Sequence, residues 1–330
     1  MPYLNFGGCL ATLLAAIAVS VSAQAQAPAQ IFPSKPVKWI VGYPAGGGSD
    51  FLARTVAAQM SVQLGQPVII DNRAGAGAIV GAEVAARSSG DGYTLFTADN
   101  GVLIYNPALY KKLPYDPVRD FAPLGLMART PLLIVAAPNA GIRNAQELID
   151  MLKKNPGKLS YGSPGNGSPH HLAMELFKSR TAAFVVHVPY RGAAPAMQDA
   201  MGGQIPLIVV DTSTGMSAIK AGKLVPLVTF SKQRVSQLPD VPTMIELGYK
   251  DVEAYAWQGM VVPAGTPGDI RQKLSLEMQA AVNHPSVRKK LEEASWESVP
   301  SDAGLLSAYI VSETKKWHAL IRERGISLEQ

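Results

Sequence analysis

The sequence predicts an α/β fold in which mostly parallel strands alternate with helices. Short apolar runs of buried-strand length recur at 37–42, 68–71, 94–98, 132–137, 159–162, 184–188, 205–210 and 225–230. Helix-period segments fit between and after them, at 51–64, 79–87, 145–155, 169–179, 194–201, 214–221, 267–283, 285–294 and 304–325. Two apolar, nearly helix-free passages, 122–137 and 252–263, interrupt the alternation and read as two crossings of a hinge. With 330 residues, 47% of them hydrophobic, the chain can bury a core divided over two lobes. The expected division places residues 28–128 and 258–330 in one lobe and 129–257 in the other.

Ahead of the first strand, residues 1–25 are expected to be a secretory signal. The apolar run 10–21 is shorter than the roughly 18 residues a membrane span needs. Small residues then follow at Ala23, Ala25 and Ala27, spaced as signal peptidase reads them. No Lys or Arg precedes Leu10, a departure from the usual pattern that points to a start upstream. The single cysteine, Cys9, lies before the run, so the mature chain would have no thiol for disulfides or catalysis. The net charge of +5 is spread without a basic block and aromatics make up 7%, which argues against a nucleic-acid partner.

The first strand leads into Tyr43-Pro44-Ala45-Gly46-Gly47-Gly48-Ser49-Asp50 and then a helix. Three successive glycines let the backbone turn without Cβ clashes and leave its N–H groups exposed. The helix N-terminus adds partial positive charge, so a carboxylate or phosphate is favoured there without any Lys or Arg. The plainer alternative is a turn capped by Ser49 or Asp50. Tyr43 is suited to an apolar wall with a polar tip. Asp50, repulsive toward a bound anion, is better suited to stabilising the helix N-terminus.

Further glycine- or hydroxyl-rich loops enter helices at 72–81, 162–171, 188–193 and 211–214. In open α/β sheets such loops, beyond the carboxyl ends of strands, are where ligands lie. Ser168 is a good N-cap and Pro169 a natural first helical residue. His170 reads as packing or solvent-facing, and His171 as a neutral donor to ligand. Arg191 is the one strong cation in these loops, and Gly192 lets it turn to solvent. Gly75 to Gly81 is one residue too long for a dinucleotide fingerprint, and no GxxxxGK[ST], GxSxG or HExxH motif occurs. The expectation is therefore a binding protein, not an enzyme, with no cofactor and no metal.

Taken in order, YPAGGGSDFLAR (43–54), NRAGAGAIVG to GDGYTL (72–95), GSPGNGSPHHL (162–172), VPYRGAAPAM (188–197), LPDVPTMIELGY (238–249) and VPAGTP (262–267) resemble the Bug family. These are the periplasmic solute receptors of tripartite tricarboxylate transporters, and the resemblance runs from about Pro33 to the C-terminus. It implies a two-lobed, type II periplasmic-binding-protein (Venus flytrap) architecture. It also implies a small carboxylate ligand held largely by main-chain groups and ordered waters, then passed by a monomer to the transporter's membrane subunits. Pro44, Ala45, Gly46, Gly47 and Gly48 match the family's first anchoring loop, and Ser163, Gly167, Ser168 and His171 match its second-lobe loop. Asp211 falls where such receptors select the ligand's variable end. Tyr43, Asp50, Gly77 and Tyr190 lie in the same matched runs and complete the expected site. A sensory receptor serving a membrane kinase is the alternative reading, and an α/β enzyme a remoter one.

Overall fold

Val37–Val41 (β1) pairs in parallel with Val68–Asn72 (β2) on one side and Thr94–Asp99 (β3) on the other. Val37, Trp39, Ile40 and Val41 are fully buried, as befits a parallel strand covered on both faces. The computed structural model describes residues 1–3 and 32–328. The expected signal segment, with its apolar run and cleavage positions, lies outside the described residues apart from its first three. Every element described belongs to one unit that begins at Pro33.

Gly48–Leu64 (α1) and Ile79–Ala86 (α2) link the first three strands. A π-turn, Gly101–Tyr105, and the short helix Asn106–Leu109 (α3) follow. The chain then enters Phe121–Ala136 (β4), a strand of 16 residues. Beyond it come Ala145–Lys154 (α4), Ser160–Ser163 (β5), Pro169–Thr181 (α5), Val186–Pro189 (β6), Ala193–Met201 (α6), Leu207–Asp211 (β7), Thr212–Lys220 (α7) and Val225–Thr229 (β8). The return is Tyr255–Pro263 (β9), Gly268–Asn283 (α8), Pro285–Glu293 (α9), Glu297–Ser298 (β10) and Ala303–Arg324 (α10). Among the described residues, no helix is long and apolar enough to cross a membrane.

The strand order is β2-β1-β3-β9-β4-β7-β5-β6, with β8 and β10 also pairing with β4. The outer strands of each half are parallel, and those that meet β4 are antiparallel to it. Residues 121–131 of β4 pair with β9, and residues 132–136 pair with β7. One strand therefore serves both halves of the sheet. The passages read as helix-free crossings, 122–137 and 252–263, prove to be the strands β4 and β9. The first half of β4 contains Pro123, Gly125 and Pro131, residues that argue against a central strand. Register shifts between Pro123 and Gly125 and between Leu126 and Ala128 accommodate the first two, and Pro131 is the last residue paired with β9, where β4 passes to β7.

Register fixes how the two halves face each other. Because β9 is antiparallel to both β3 and β4, strands β1 to β3 run with β4, toward its second half. Strand β7 is antiparallel to β4, so β5 to β7 run back toward the first half. The carboxyl ends of both parallel sets therefore point at each other. Asp99, ending β3, is level with Gln258 and hence with Ala128 of β4, whereas Asp211, ending β7, pairs with Leu132. Four residues of strand separate the two levels, a gap of about 13 Å.

On the rim of that gap β1 and α2 approach closely. A Cβ on Gly81 would lie 2.8 Å from Gly42 Cα and 3.1 Å from the Arg73 carbonyl oxygen, both backbone atoms. Gly81→Ala is expected to lower stability by about 1–3 kcal/mol. The check is a lower urea midpoint at unchanged slope; an unchanged midpoint would show that the contact relaxes freely.

Candidate functional site

The loop after β1 is exposed from Pro44 to Gly48, while Ser49 and Asp50 are buried. Its turn is made at Gly46, at φ +82°, a conformation that favours glycine. The cap of α1 is Gly47, not Ser49 or Asp50 as the plainer alternative had it. Asp50 is turned inward. Its carboxylate accepts from the Gly46 amide at 2.9 Å, from Arg54 Nε at 2.8 Å and from Asn72 Nδ2 at 2.9 Å. Burial alone would raise its pKa, but these donors outweigh burial and hold it below the ordinary carboxylate value. Asn72 Nδ2 also donates to the Tyr43 carbonyl at 3.0 Å, tying β2 to the loop.

Tyr43 is half-buried, and its hydroxyl donates to Asp99 Oδ2 at 2.5 Å. Burial pushes the Asp99 carboxyl up despite this donor and the Val102 amide at 3.0 Å. With the Gly46 amide committed to Asp50, the Gly47 amide reaching the Pro44 carbonyl at 3.4 Å and the Phe51 amide on the Gly47 carbonyl at 2.9 Å, the open donors are those of the first turn of α1, from Gly48 to Asp50. Gly77 is exposed at φ +61°, and its carbonyl accepts from Asn106 Nδ2 at 3.4 Å.

On the opposite side, Ser168 is the N-cap of α5: its Oγ accepts from the His171 amide at 3.2 Å and donates to the Gly165 carbonyl at 2.8 Å. Ser163 is fully buried, with its Oγ 2.7 Å from His187 Nε2. Gly167, buried at φ +74°, leaves no room for a side chain, since a Cβ would meet Leu109 and Leu328 at under 3 Å. His171, expected as a donor to ligand, is turned to partners within the protein, with its Nε2 3.9 Å from Glu175 Oε1. Its Nδ1 accepts from the Gly167 amide at 3.1 Å, and its ring stacks on His187 at a centroid distance of 4.1 Å. Burial lowers the His171 pKa to about 4, so it is neutral as read from the sequence, but it serves the interior. Tyr190 is likewise engaged internally, with its hydroxyl on Asp199 at 2.8 Å. Arg191 is exposed.

His170, read from the sequence as packing or solvent-facing, packs in the interior. His170 is buried and donates from Nε2 to Asp211 Oδ2 at 3.1 Å, and its Nδ1 has no partner in the protein. Asp211 caps α7, also accepting from Ser213 Oγ at 2.5 Å and from the Thr214 amide at 3.0 Å. It is therefore saturated and does not present a free carboxylate. Burial would raise its pKa; the hydrogen bonds from His170, Ser213 and Thr214 prevail and hold it at about 2.

These groups meet across the gap. A Cβ on Gly48 would stand 3.3 Å from the Trp296 ring and 3.8 Å from Ser213 Oγ, which brings the α1 and α7 N-termini together. Thr212 Oγ1 donates to the Ser295 carbonyl at 2.7 Å beside them. A cavity of about 360 Å³ lined by Pro131, Thr212, Gln237, Arg288, Ser295 and Trp296 adjoins this point, although none of residues 43–48 lines it. Sequence reasoning missed Ser213, Trp296 and Gln258. Of these, Ser213 lies in the hydroxyl-rich loop 211–214 without being singled out there, Gln258 carried a signal as a lone polar residue in an apolar run, and Trp296 carried none. Among the described residues no cluster of three or more His, Cys, Asp or Glu is placed to hold a metal.

The pattern of the tripartite tricarboxylate transporter family receptor matches residues 52–326. Among solved structures, the periplasmic binding protein BugD is 33% identical with a TM-score of 0.79, covering 91% of this chain and 100% of its own. Rpa4515 of R. palustris, solved with adipate, is 30% identical at TM-score 0.82, covering 91% and 100%. MatC (Rpa3494) from Rhodopseudomonas palustris, solved with bound malate, is 28% identical at TM-score 0.78, covering 88% and 100%.

The depressed Asp211 carboxyl makes a pH prediction. A group whose folded pKa lies below its ordinary 3.8 contributes stability above about pH 4 and loses it as pH falls toward 2. Asp211→Asn should therefore cost about 2 kcal/mol near neutral pH, with the difference from the native chain shrinking to little at pH 2. Urea unfolding across that range tests it; a difference independent of pH would mean that the charge of Asp211 contributes nothing.

Proposed function

Because this chain belongs to the tripartite tricarboxylate transporter receptor family, we propose that it is a periplasmic receptor that captures a small organic carboxylate without transforming it and delivers it to the membrane subunits of such a transporter. The observation that carries this reading is the meeting of two helix N-termini, α1 at Gly48 and α7 at Ser213, across the gap between the halves of the sheet. Each end offers unpaired amides and partial positive charge, and both close on one small volume. The adipate and malate in the related structures support the same ligand class.

In the proposed site, main-chain groups at Pro44 to Gly48, Gly77, Gly167 and Ser168 meet the ligand, with the Tyr43 ring as a wall. Asp50, Ser163, His171, Tyr190 and Asp211 hold those loops in shape. The lobes are taken as 28–128 with 258–330, and 129–257, closing on ligand as a monomer. Secretion through a cleaved segment at 1–25 completes the reading.

A thermal-shift screen of the purified protein over mono-, di- and tricarboxylates should raise the melting temperature. If only sugars or phosphorylated compounds do so, the carboxylate reading is wrong. Saturating ligand should also shrink the radius of gyration in solution scattering, and superimposable curves would argue for a rigid pocket.

Two variants separate main-chain from side-chain anchoring. Gly47 has φ −81°, so valine is sterically tolerated by the backbone there, but its branches would crowd the exposed amides. Gly47→Val is expected to weaken binding at least about a hundredfold, and Arg191→Ala, exposed, to change it less than about threefold. Titration calorimetry on both, with circular dichroism to confirm folding, decides; the reverse outcome would move the site away from the opening loop.

A further inference from the structure

Gln258 lies on β9 beside Asp99, at the level where β3 ends and the gap begins. Its side chain is 7% exposed and reaches the first turn of α1, where Nε2 donates to Ser49 Oγ. Its Oε1 is buried with no partner in the protein. An acceptor left unpaired away from water is costly, and such a group at a binding gap is satisfied by what binds there. It stands beside donors suited to an anion, so a carboxylate alone would satisfy the amides of α1 and leave Oε1 unpaired. A ligand that brings its own donor next to the carboxylate satisfies both.

We infer that Gln258 is a specificity-determining residue that accepts a hydrogen bond from a hydroxyl adjacent to the ligand's carboxylate, which makes the preferred ligand a hydroxycarboxylate. The inference rests on the carboxylate reading above and narrows it. A hydroxyl is favoured over an ammonium by the state of the nearby carboxylates. Asp50 is taken by Gly46, Arg54 and Asn72, Asp99 by Tyr43 and Val102, and Asp211 by His170, Ser213 and Thr214. None of these three is open to balance a positive charge brought in with the ligand. Ser49 Oγ accepts from Gln258 Nε2, which leaves the carbonyl end of the amide without a partner.

The test compares matched pairs by titration calorimetry on the purified protein: malate against succinate, 2-hydroxyglutarate against glutarate, lactate against propionate, and malate against aspartate. In whichever chain length binds, the hydroxy acid should bind at least about tenfold more tightly than the unsubstituted acid. Malate should likewise surpass aspartate. Gln258→Leu should bring the hydroxy and unsubstituted acids to within about threefold by weakening the hydroxy acid alone. Equal affinities in the native chain, a preference for the unsubstituted acid or for aspartate, or a ratio untouched in a folded Gln258→Leu variant would overturn the inference while leaving the carboxylate reading intact. Failure of every acid in the panel to bind would overturn both. The native-chain ratios decide the preference even if the variant does not fold.

Discussion

The arrangement of this protein depends on one strand that belongs to two half-sheets. β4 pairs with β9 over 121–131 and with β7 over 132–136, so the direction of every other strand is set by its relation to β4. Since β1 to β3 run with it and β5 to β7 against it, the helix N-termini that follow both sets face the same gap. A site rich in backbone donors is the consequence, because the amino ends of helices are where unpaired amides and positive dipole ends collect. No basic side chain is required to make the gap attractive to an anion.

Three carboxylates nevertheless stand around that gap, and each is neutralised in a different way. Asp50 is ion-paired to Arg54 and hydrogen-bonded by Gly46 and Asn72, which keeps it ionised and fixes the opening loop to β2. Asp211 is ionised and saturated by His170, Ser213 and Thr214. Asp99 is buried, with its carboxyl pushed up, beneath Tyr43. Their donors are consumed in shaping loops, so the negative charge that would repel an anion is spent on structure. Exposed side-chain ion pairs are worth little, but buried carboxylates with several donors set loop geometry firmly.

Much of this was legible in the sequence, and the parts that were not share a physical cause. Helices were placed within a few residues at 145–155, 169–179 and 304–325; Ser168 was read as a cap, and the structure adds Asn144 and Asp302 as caps of α4 and α10. The first half of β4 was hidden by Pro123, Gly125 and Pro131, because its bulges are stabilised by tertiary partners. At Gly125, a Cβ would lie only 1.9 Å from the Ser301 carbonyl oxygen, a contact no local pattern announces. In the site, loop positions were readable from glycine and hydroxyl residues. Side-chain orientation was not. His170 and His171 are adjacent on α5, and only the positions of β7 and His187 determine which one faces Asp211 and which is stacked in the interior.

That division also says where discrimination between ligands must reside. In the proposed site, main-chain amides at Gly48 and the turns around it would recognise a carboxylate of any parent molecule, because every residue type except proline supplies the same N–H. Loops of this kind are constrained by backbone geometry, as at Gly46 and Gly167 with their positive φ, and can change little without losing their shape. Side chains that project into the gap from regular elements carry no such constraint. Trp296 beside β10 and Gln258 on β9 can vary in size, charge and hydrogen-bonding sense while the strands and helices beneath them stay put. On the proposed reading, affinity for the carboxylate class is thus held by the loops, and the choice among carboxylates by side chains on the framework.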